Sequence, residues 1–366
     1  MAAVGHVGIV GAGLAGLAAA LAAAAAGMRV DVFEAQPEPA LPAAHIDVVP
    51  NLLRDLTALG LGEACVRRGF PYSGVAMLDD HGHKLFEVPT AHLAGPQWPA
   101  ALGMVYGDLL GLLREAVLAR GVRLHLGVSV LDANDRGAVV NDAGARHAVD
   151  LTVIASGDRL PTLGGAVQRP VPEVALPQQW CHVLLPRPPE LERATWVVGS
   201  TGLRAFVVPV AARQAGVAVL QPDTHPATTA ALRDALAAQG PGLRQLSEHW
   251  PDDAPVLLRA VSSGVLAGAW HEQGVLRIGR SAHRLTPYFG QAAAQAVEDA
   301  VVLGALLRDG HDRDALLEAI SARRGARARK VNAVTTQAAQ WQLRPEAATD
   351  LRALVEQLEP LVAEPA

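Results

Sequence analysis

The chain has 366 residues, half of them hydrophobic, and a formal net charge of −5. That length buries a large core and suggests two domains or one elaborate one; the apolar fraction excludes disorder, and the acidic balance argues against a nucleic-acid partner. Its two cysteines, Cys65 and Cys181, supply neither a disulfide framework nor metal-ligand spacing, so no metal is expected and both read as small buried residues in a reducing, cytoplasmic setting.

Residues 7–28 carry no charge and would register as a membrane span in a hydropathy window. No Lys or Arg precedes them, and Gly8, Gly11, Gly13 and Gly16 crowd their first half, where a lipid-facing helix would carry leucine. A buried strand, a glycine turn and a close-packed helix explain the run better, and no membrane association is expected. His6 to Val10 is a strand with both faces buried. It runs into Gly11-Ala12-Gly13-Leu14-Ala15-Gly16, a G-x-G-x-x-G. Leu17 to Ala26 is a strong helix former closed by Gly27, and Met28 to Phe33 is a second strand ending at Glu34.

Each part of this unit has a physical task. Gly11 permits the tight turn. Gly13, without a Cβ, lets a pyrophosphate reach the backbone. Gly16 lets helix pack on strand, and the helix N-terminus presents unpaired N–H groups to phosphate, Leu14 and Ala15 among them. Glu34 is placed to accept hydrogen bonds from a ribose diol. Strand, turn, helix, second strand and acid in this order read as a dinucleotide site, although NAD and FAD share the fingerprint.

Further on, a helix starts at Pro50-Asn51 and runs to Gly60. Gly74 to Leu78 and Lys84 to Val88 flank a hairpin turn in which Asp79 and Asp80 are turn residues. Pro89 to Pro99 is loop-like, Asp108 to Ala119 an amphipathic helix, and Val122 to Leu126 a strand. Asp132 to Val149 reads as a meander around Asp142-Ala143-Gly144, and Leu151 to Ala155 as a buried strand ending at Ser156-Gly157. Residues 169–265 are richer in proline and short β runs, with one helix over about 228–239. Gly274 to Ile278 is a strand, Gln291 to Leu307 a long helix, and the rest from Asp312 is helical.

This order of elements resembles the class A flavoprotein monooxygenases, the aromatic-hydroxylase group with the p-hydroxybenzoate hydroxylase fold. Besides the fingerprint, four segments over about residues 5–330 carry the likeness. Ala44 to Arg54 is similar to G-A-G-I-x-L-x-P-N-x-L-R, Val105 to Leu109 to an R-x-D-L segment, and Leu151 to Asp158 to a strand ending in A-D-G. Gly274 to His283, Pro287 to Gln291 and Glu298 to Ala300 are similar to G-x-V-x-L-x-G-D-A-A-H, P-x-x-G-Q-G and E-D-A.

The resemblance implies an α/β fold: a Rossmann-like FAD-binding domain with the βαβ N-terminus (residues 1–72, 100–168 and 266–311), an inserted β-sheet substrate domain (73–99 and 169–265) and C-terminal helices (312–366). It implies extended FAD, with Arg54, Tyr106, Ser156, Gly157, Gly279, Arg280, Pro287, Gly290, Gln291 and Ala292 joining the fingerprint residues as cofactor contacts. NAD(P)H would be a transient reductant. A flavin C4a-hydroperoxide would pass oxygen from O2 to a small aromatic or heteroaromatic substrate, in a monomer or homodimer. His45 and Tyr288 are candidate walls near the reacting atoms, and Tyr72, Arg204 and Phe289 candidate substrate contacts.

Bland readings stand beside these. His45 reads equally as a surface loop residue, Arg204 as an exposed sheet-edge arginine, and Tyr288 and Phe289 as packing. His283 orders its loop, and Arg323, Arg324, Arg327, Arg329 and Lys330 form a solvated helix face. The chain departs from the family pattern in carrying Tyr106 for Arg, Ser156 for Asp, Leu160 for Ser, Arg280 for Asp, and His45 and Ala292 for Gly. Either contacts are redistributed, with Arg280 supplying a cation to the pyrophosphate, or the flavin half of the site has decayed. Two other functions therefore stand beside hydroxylation: a non-catalytic relative binding a nucleotide or small ligand, and an FAD-dependent dehydrogenase or reductase without oxygen insertion.

Overall fold

The computed structural model describes residues 4–38, 44–135, 137–140, 144–199, 203–248, 250–344 and 350–366; Asp142 and Ala143 of the meander turn lie outside them. The chain opens with β1 (His6–Val10), α1 (Leu14–Ala25) and β2 (Arg29–Glu34), followed by β3 (His45–Val48), α2 (Pro50–Ala58), α3 (Gly62–Arg68) and β4 (Phe70–Tyr72). The hairpin β5 (Val75–Asp79) and β6 (Lys84–Val88) comes next, then β7 (Ala101–Val105), α4 (Tyr106–Ala119) and β8 (Arg123–Leu126). The meander is β9 (Val130–Asn134), β10 (Gly137–Val140) and β11 (Ala145–His147), followed by β12 (Leu151–Ile154) and β13 (Thr162–Leu163). Long strands β14 (Val174–Pro186), β15 (Ala194–Val198), β16 (Arg204–Ala211) and β17 (Gln214–Pro222) precede α5 (Thr229–Ala237), α6 (Pro241–Glu248) and β18 (Leu257–Val265). The chain closes with β19 (His271–Glu272), β20 (Val275–Arg277), β21 (His283–Arg284), α7 (Gln291–Arg308), α8 (Arg313–Leu343) and α9 (Leu351–Val362).

Two large sheets organise these elements. A six-stranded sheet, β19-β20-β12-β1-β2-β8, is parallel except for β19, with Val7 opposite both Leu151 and Val30. An eight-stranded sheet, β21-β18-β14-β17-β16-β15-β5-β6, joins the hairpin to the strands of residues 174–265. Between them lies a small sheet, β3-β7-β4. The uncharged run of residues 7–28 is explained by α1, in which Ala18 to Ala23 are buried against the core. A Cβ on Gly304 of α7 would stand 2.9 Å from the Cβ of Ala22, so only small residues let these helices approach. No helix among the described residues is long and apolar enough to cross a membrane.

Two expectations are corrected. The helix expected over about 228–239 is α5, but it is not alone: a second, α6, follows it after Gly240, where a Cβ would meet the Asp80 carbonyl oxygen at 2.1 Å. The basic stretch on α8 is not a uniformly solvated face. Arg324 is fully buried, donating to Asp299 (2.7 Å) and Glu298 (2.5 Å), while Arg327 donates to Glu298 (2.7 Å). Two buried carboxylates need cations, and one turn of α8 supplies them.

A second ionic cluster closes the edge of the parallel sheet. Asp31 on β2 is buried and hydrogen-bonds Arg123 (2.7 Å), His125 (2.7 Å) and His6 (2.6 Å). Burial alone would raise its pKa, but the hydrogen bonds from Arg123, His125 and His6 outweigh it and hold the carboxyl below the usual range. A depressed folded-state pKa stabilises above the unfolded carboxyl value, about 3.9, and that stabilisation begins to fade there and is lost progressively as pH falls on toward the lower folded-state value. The urea midpoint should therefore drop between about pH 5 and pH 3, and drop less in Asp31→Asn. Equal acid sensitivity in both proteins would show that Asp31 does not contribute.

Candidate functional site

The first part of the site is the turn between β1 and α1. Gly11 has φ 104°, and a Cβ there would lie 2.7 Å from the Ala155 carbonyl oxygen. A Cβ on Gly16 would lie 1.9 Å from the Gly11 oxygen, whereas one on Gly13 would meet nothing within 4 Å. Gly16 is thus a packing glycine, and Gly13 opens a cradle. Gly13 also caps α1 with no side-chain hydrogen bond, leaving the N–H groups of Leu14, Ala15 and Gly16 without intrahelical acceptors. Glu34, at the end of β2, accepts from the Ala12 N–H (2.8 Å) and the Gln36 N–H (2.9 Å). Each oxygen keeps lone-pair capacity for a ribose hydroxyl.

The second part is the strip between β12 and β21. Gly279 has φ 57°, and a Cβ there would stand 2.6 Å from the Ala15 Cβ, so this strip lies against the start of α1. The Gly279 N–H donates to Asp299 (2.9 Å), whose carboxylate also holds His283 (2.8 Å) and Arg324. Buried His283 orders this segment. Arg280 is half-exposed and donates to Asp158 (2.9 Å), so its guanidinium already has a counter-ion. The Ser156 hydroxyl donates to the Arg159 carbonyl, and Ser281 donates to the Gly157 carbonyl (3.0 Å).

The third part is the turn Pro287 to Gln291. Phe289 and Gly290 both have left-handed backbone, φ 59° and 67°, a conformation costly for a phenylalanine and tolerated where packing fixes it. Gln291 exchanges amide hydrogen bonds with Asn51 (3.2 and 3.3 Å), tying this turn to the start of α2. α7 begins here with no capping side chain. The turn opens on a cavity of about 410 Å³, walled by Trp180, Trp196, Phe206, Tyr288 and Phe289 and covered by α9 and Pro89 to Leu93. Gly290 and Ala292 line it as well.

His45 belongs to this chamber and not to the surface. It is buried, its ring 5.1 Å from that of His182, and a Cβ on Gly216 would collide with it. Burial pushes the His45 pKa down to about 4 and that of His182 well below its ordinary value, so both rings are neutral. The Nδ1 atoms of both and the Trp180 indole N–H are buried without a partner. Tyr288 stacks on Trp196 (6.1 Å, 5°) and donates to Gln342.

Arg204 reverses its sequence reading. It sits on β16, flanked by β15 and β17, is 8 % exposed and lines the chamber. Among the described residues it has no hydrogen bond or ion pair, and burial lowers its pKa. The exposed sheet-edge alternative fails because Arg204 pairs with strands on both sides.

Three further expected contacts lie outside the chamber lining. Arg54 donates to the carbonyls of Val362 (2.9 Å) and Ala363 (3.1 Å) and to Glu298, anchoring α9. Tyr106 starts α4 outside the chamber lining, its hydroxyl pushed up to about 12 by burial. Tyr72 is buried behind the wall and donates to Asp47, a chamber residue that sequence reasoning missed. His182, Trp180, Trp196 and Phe206 were missed as well. Strand alternation would have placed them on a shared face, but nothing local marks that face as a cavity wall.

Comparisons with known proteins agree with this geometry. Residues 9–61 match the model of an NAD(P)-binding Rossmann-like domain. A Bacillus subtilis protein assigned as an FAD-dependent monooxygenase is 26% identical over 331 residues, covering 88% of this chain and 89% of its own. The structure is similar to 2-methyl-3-hydroxypyridine-5-carboxylic acid oxygenase (TM-score 0.82, 18% identity, 97% and 96% of the two chains). It is also similar to Klebsiella pneumoniae HpxO complexed with FAD and uric acid (TM-score 0.80, 22% identity, 98% and 93%).

Proposed function

We propose, from the premise that the chain belongs in fold and sequence kinship with the class A FAD-dependent monooxygenases, that it hydroxylates a small aromatic or heteroaromatic compound at the expense of NAD(P)H. The observation that carries the substrate class is the chamber beside the Pro287 to Gln291 turn: aromatic walls enclosing the Arg204 guanidinium, which makes no ion pair among the described residues. A flat ring fills such walls, and an anionic oxygen or carboxylate on it meets Arg204.

FAD fits the residues present at both ends. The open cradle at Gly13, the uncapped start of α1 and Glu34 suit the adenosine pyrophosphate, and the uncapped start of α7 faces the chamber where an isoalloxazine would lie. The strip between carries Ser156, Ser281 and the Arg280–Asp158 pair where relatives of this pattern carry an acid. When bound, FAD reduced by NAD(P)H supplies the activated oxygen derived from O2. The chain holds the ring against the aromatic wall of Trp196, Phe206 and Tyr288, excludes water with α9, and balances anionic charge with Arg204. Neutral His45 and His182 each offer one N–H donor and one nitrogen acceptor to the ring's polar edge.

Freshly purified protein should show flavin absorption, and an accepted aromatic substrate should stimulate NAD(P)H oxidation with isotope from labelled dioxygen appearing in the product. Colourless protein that leaves FAD fluorescence unchanged would favour a non-catalytic ligand binder. Bound flavin without isotope in the product would mark a dehydrogenase or reductase.

A further inference from the structure

We propose that Asp47 and Tyr72 form a proton-accepting pair in the chamber wall, with the Asp47 carboxylate taking the proton of a ring hydroxyl or ring N–H of the bound substrate. This rests on the hydroxylase reading and names a residue role within it. β3 and β4 flank β7 in the small sheet, with Asp47 opposite Gly103 and Tyr72 opposite Ala101. The Tyr72 hydroxyl reaches past β7 and donates to Asp47 Oδ1. Asp47 lines the cavity on the same strand face as His45, while Tyr72 is buried behind it. The pair therefore has one member exposed to a ligand and one fixing its orientation.

The surrounding charges leave Asp47 free to act. Around the chamber stand His45 on β3, His182 on β14, Arg204 on β16, Tyr288 in the Pro287 to Gln291 turn and Glu359 on the covering α9; Arg259 on β18 is near enough to His182 and Tyr106 to affect both. Both histidines are neutral, and among the described residues Asp47 makes no ion pair. Burial lifts its pKa to about 7, the Tyr72 hydrogen bond working against that rise. It is thus charged just above neutrality and able to hold a proton close to it.

The step balances simply. The substrate O–H or N–H bond breaks, an O–H bond forms on Asp47, and the negative charge passes to the ring, where the unpaired Arg204 is available to meet it. Nothing is oxidised or reduced. Each unit by which the substrate group is less acidic than Asp47 costs tenfold in the transfer equilibrium. The pair therefore selects ring hydroxyls or N–H groups made acidic by a ring nitrogen or conjugated carbonyl. The resulting anion is the more electron-rich ring for attack by electrophilic oxygen.

para-Nitrophenol, an acidic phenol whose spectrum reports its ionisation, serves as the probe for the flavin-loaded protein. Above neutrality the wild type should bind it as phenolate while taking up about one proton per probe, with affinity falling about tenfold per pH unit as the proton becomes scarce. Asp47→Asn, isosteric and still able to accept the Tyr72 hydroxyl, should take up no proton and lose that slope. Tyr72→Phe removes a hydrogen bond that lowers the Asp47 pKa, so the slope should begin at higher pH. Bound neutral phenol, a proton uptake unchanged in Asp47→Asn, or no binding at all would overturn the proposal. The hydroxylase reading is judged separately by bound flavin and labelled oxygen, so either can fail alone.

Discussion

Gly13→Val should leave the protein folded and cost at least about 100-fold in FAD affinity, close to 2.7 kcal/mol, whereas Gly16→Ala should markedly destabilise the fold. The two positions differ only in what their missing Cβ would meet. At Gly13 the backbone is extended, φ −79° and ψ −172°, which any residue adopts, and the added carbon finds open space. Valine there fills the volume a pyrophosphate needs. At Gly16 the carbon would stand 1.9 Å from a carbonyl oxygen, so α1 must back away from β1, at roughly 3 kcal/mol for a packed core. Urea unfolding of the flavin-free proteins and fluorescence titration with FAD check both halves. A Gly16→Ala protein with an unchanged urea midpoint, or unimpaired FAD binding by Gly13→Val, would refute this division of labour.

Arg204→Met should raise the melting temperature while lowering kcat/KM by about 100- to 1000-fold. A buried guanidinium without a partner is a standing desolvation cost, and an unbranched thioether of similar length removes it, stabilising by roughly 1–3 kcal/mol. The same substitution removes the guanidinium offered to an anionic ring. Calorimetry and steady-state kinetics on one preparation test the opposition. A fall in melting temperature would mean that Arg204 has a structural partner and is not held in reserve for a ligand. Activity and stability moving in opposite directions is the signature of a group placed for function.

The chamber carries its chemistry on strands that are distant in sequence. His45 and Asp47 come from β3, His182 from β14, Arg204 from β16 and Tyr288 from a turn just before α7. α9 closes it from above, held by Arg54 through the carbonyls of Val362 and Ala363 and by Arg327 through that of Glu364 (2.7 Å). The motif arginine at position 54 therefore acts on the cover of the chamber, with Glu298 of the E-D-A segment bridging it to α8.

What the sequence alone determined were features whose cause is local. The turn at Gly11, Gly13 and Gly16 follows from backbone conformation and close approach, which glycine alone satisfies, and the Pro287 to Gln291 turn is a contiguous segment of the same kind. The alanine run of α1 could be read as a close-packed helix because small side chains have few other uses. Tertiary structure decided everything that depends on what covers a face. Alternation along β16 puts Arg204 on one side of a strand, but only the flanking β15 and β17 and the cavity make it a buried cation. Helical spacing puts Arg324 on one stripe of α8, but only Glu298 and Asp299 make that stripe the interior. Asp47 carries no motif signal because its meaning comes from Tyr72, brought alongside across a third strand. Periodicity fixes which residues share a face; the desolvation and charge that make a face functional come from its partner.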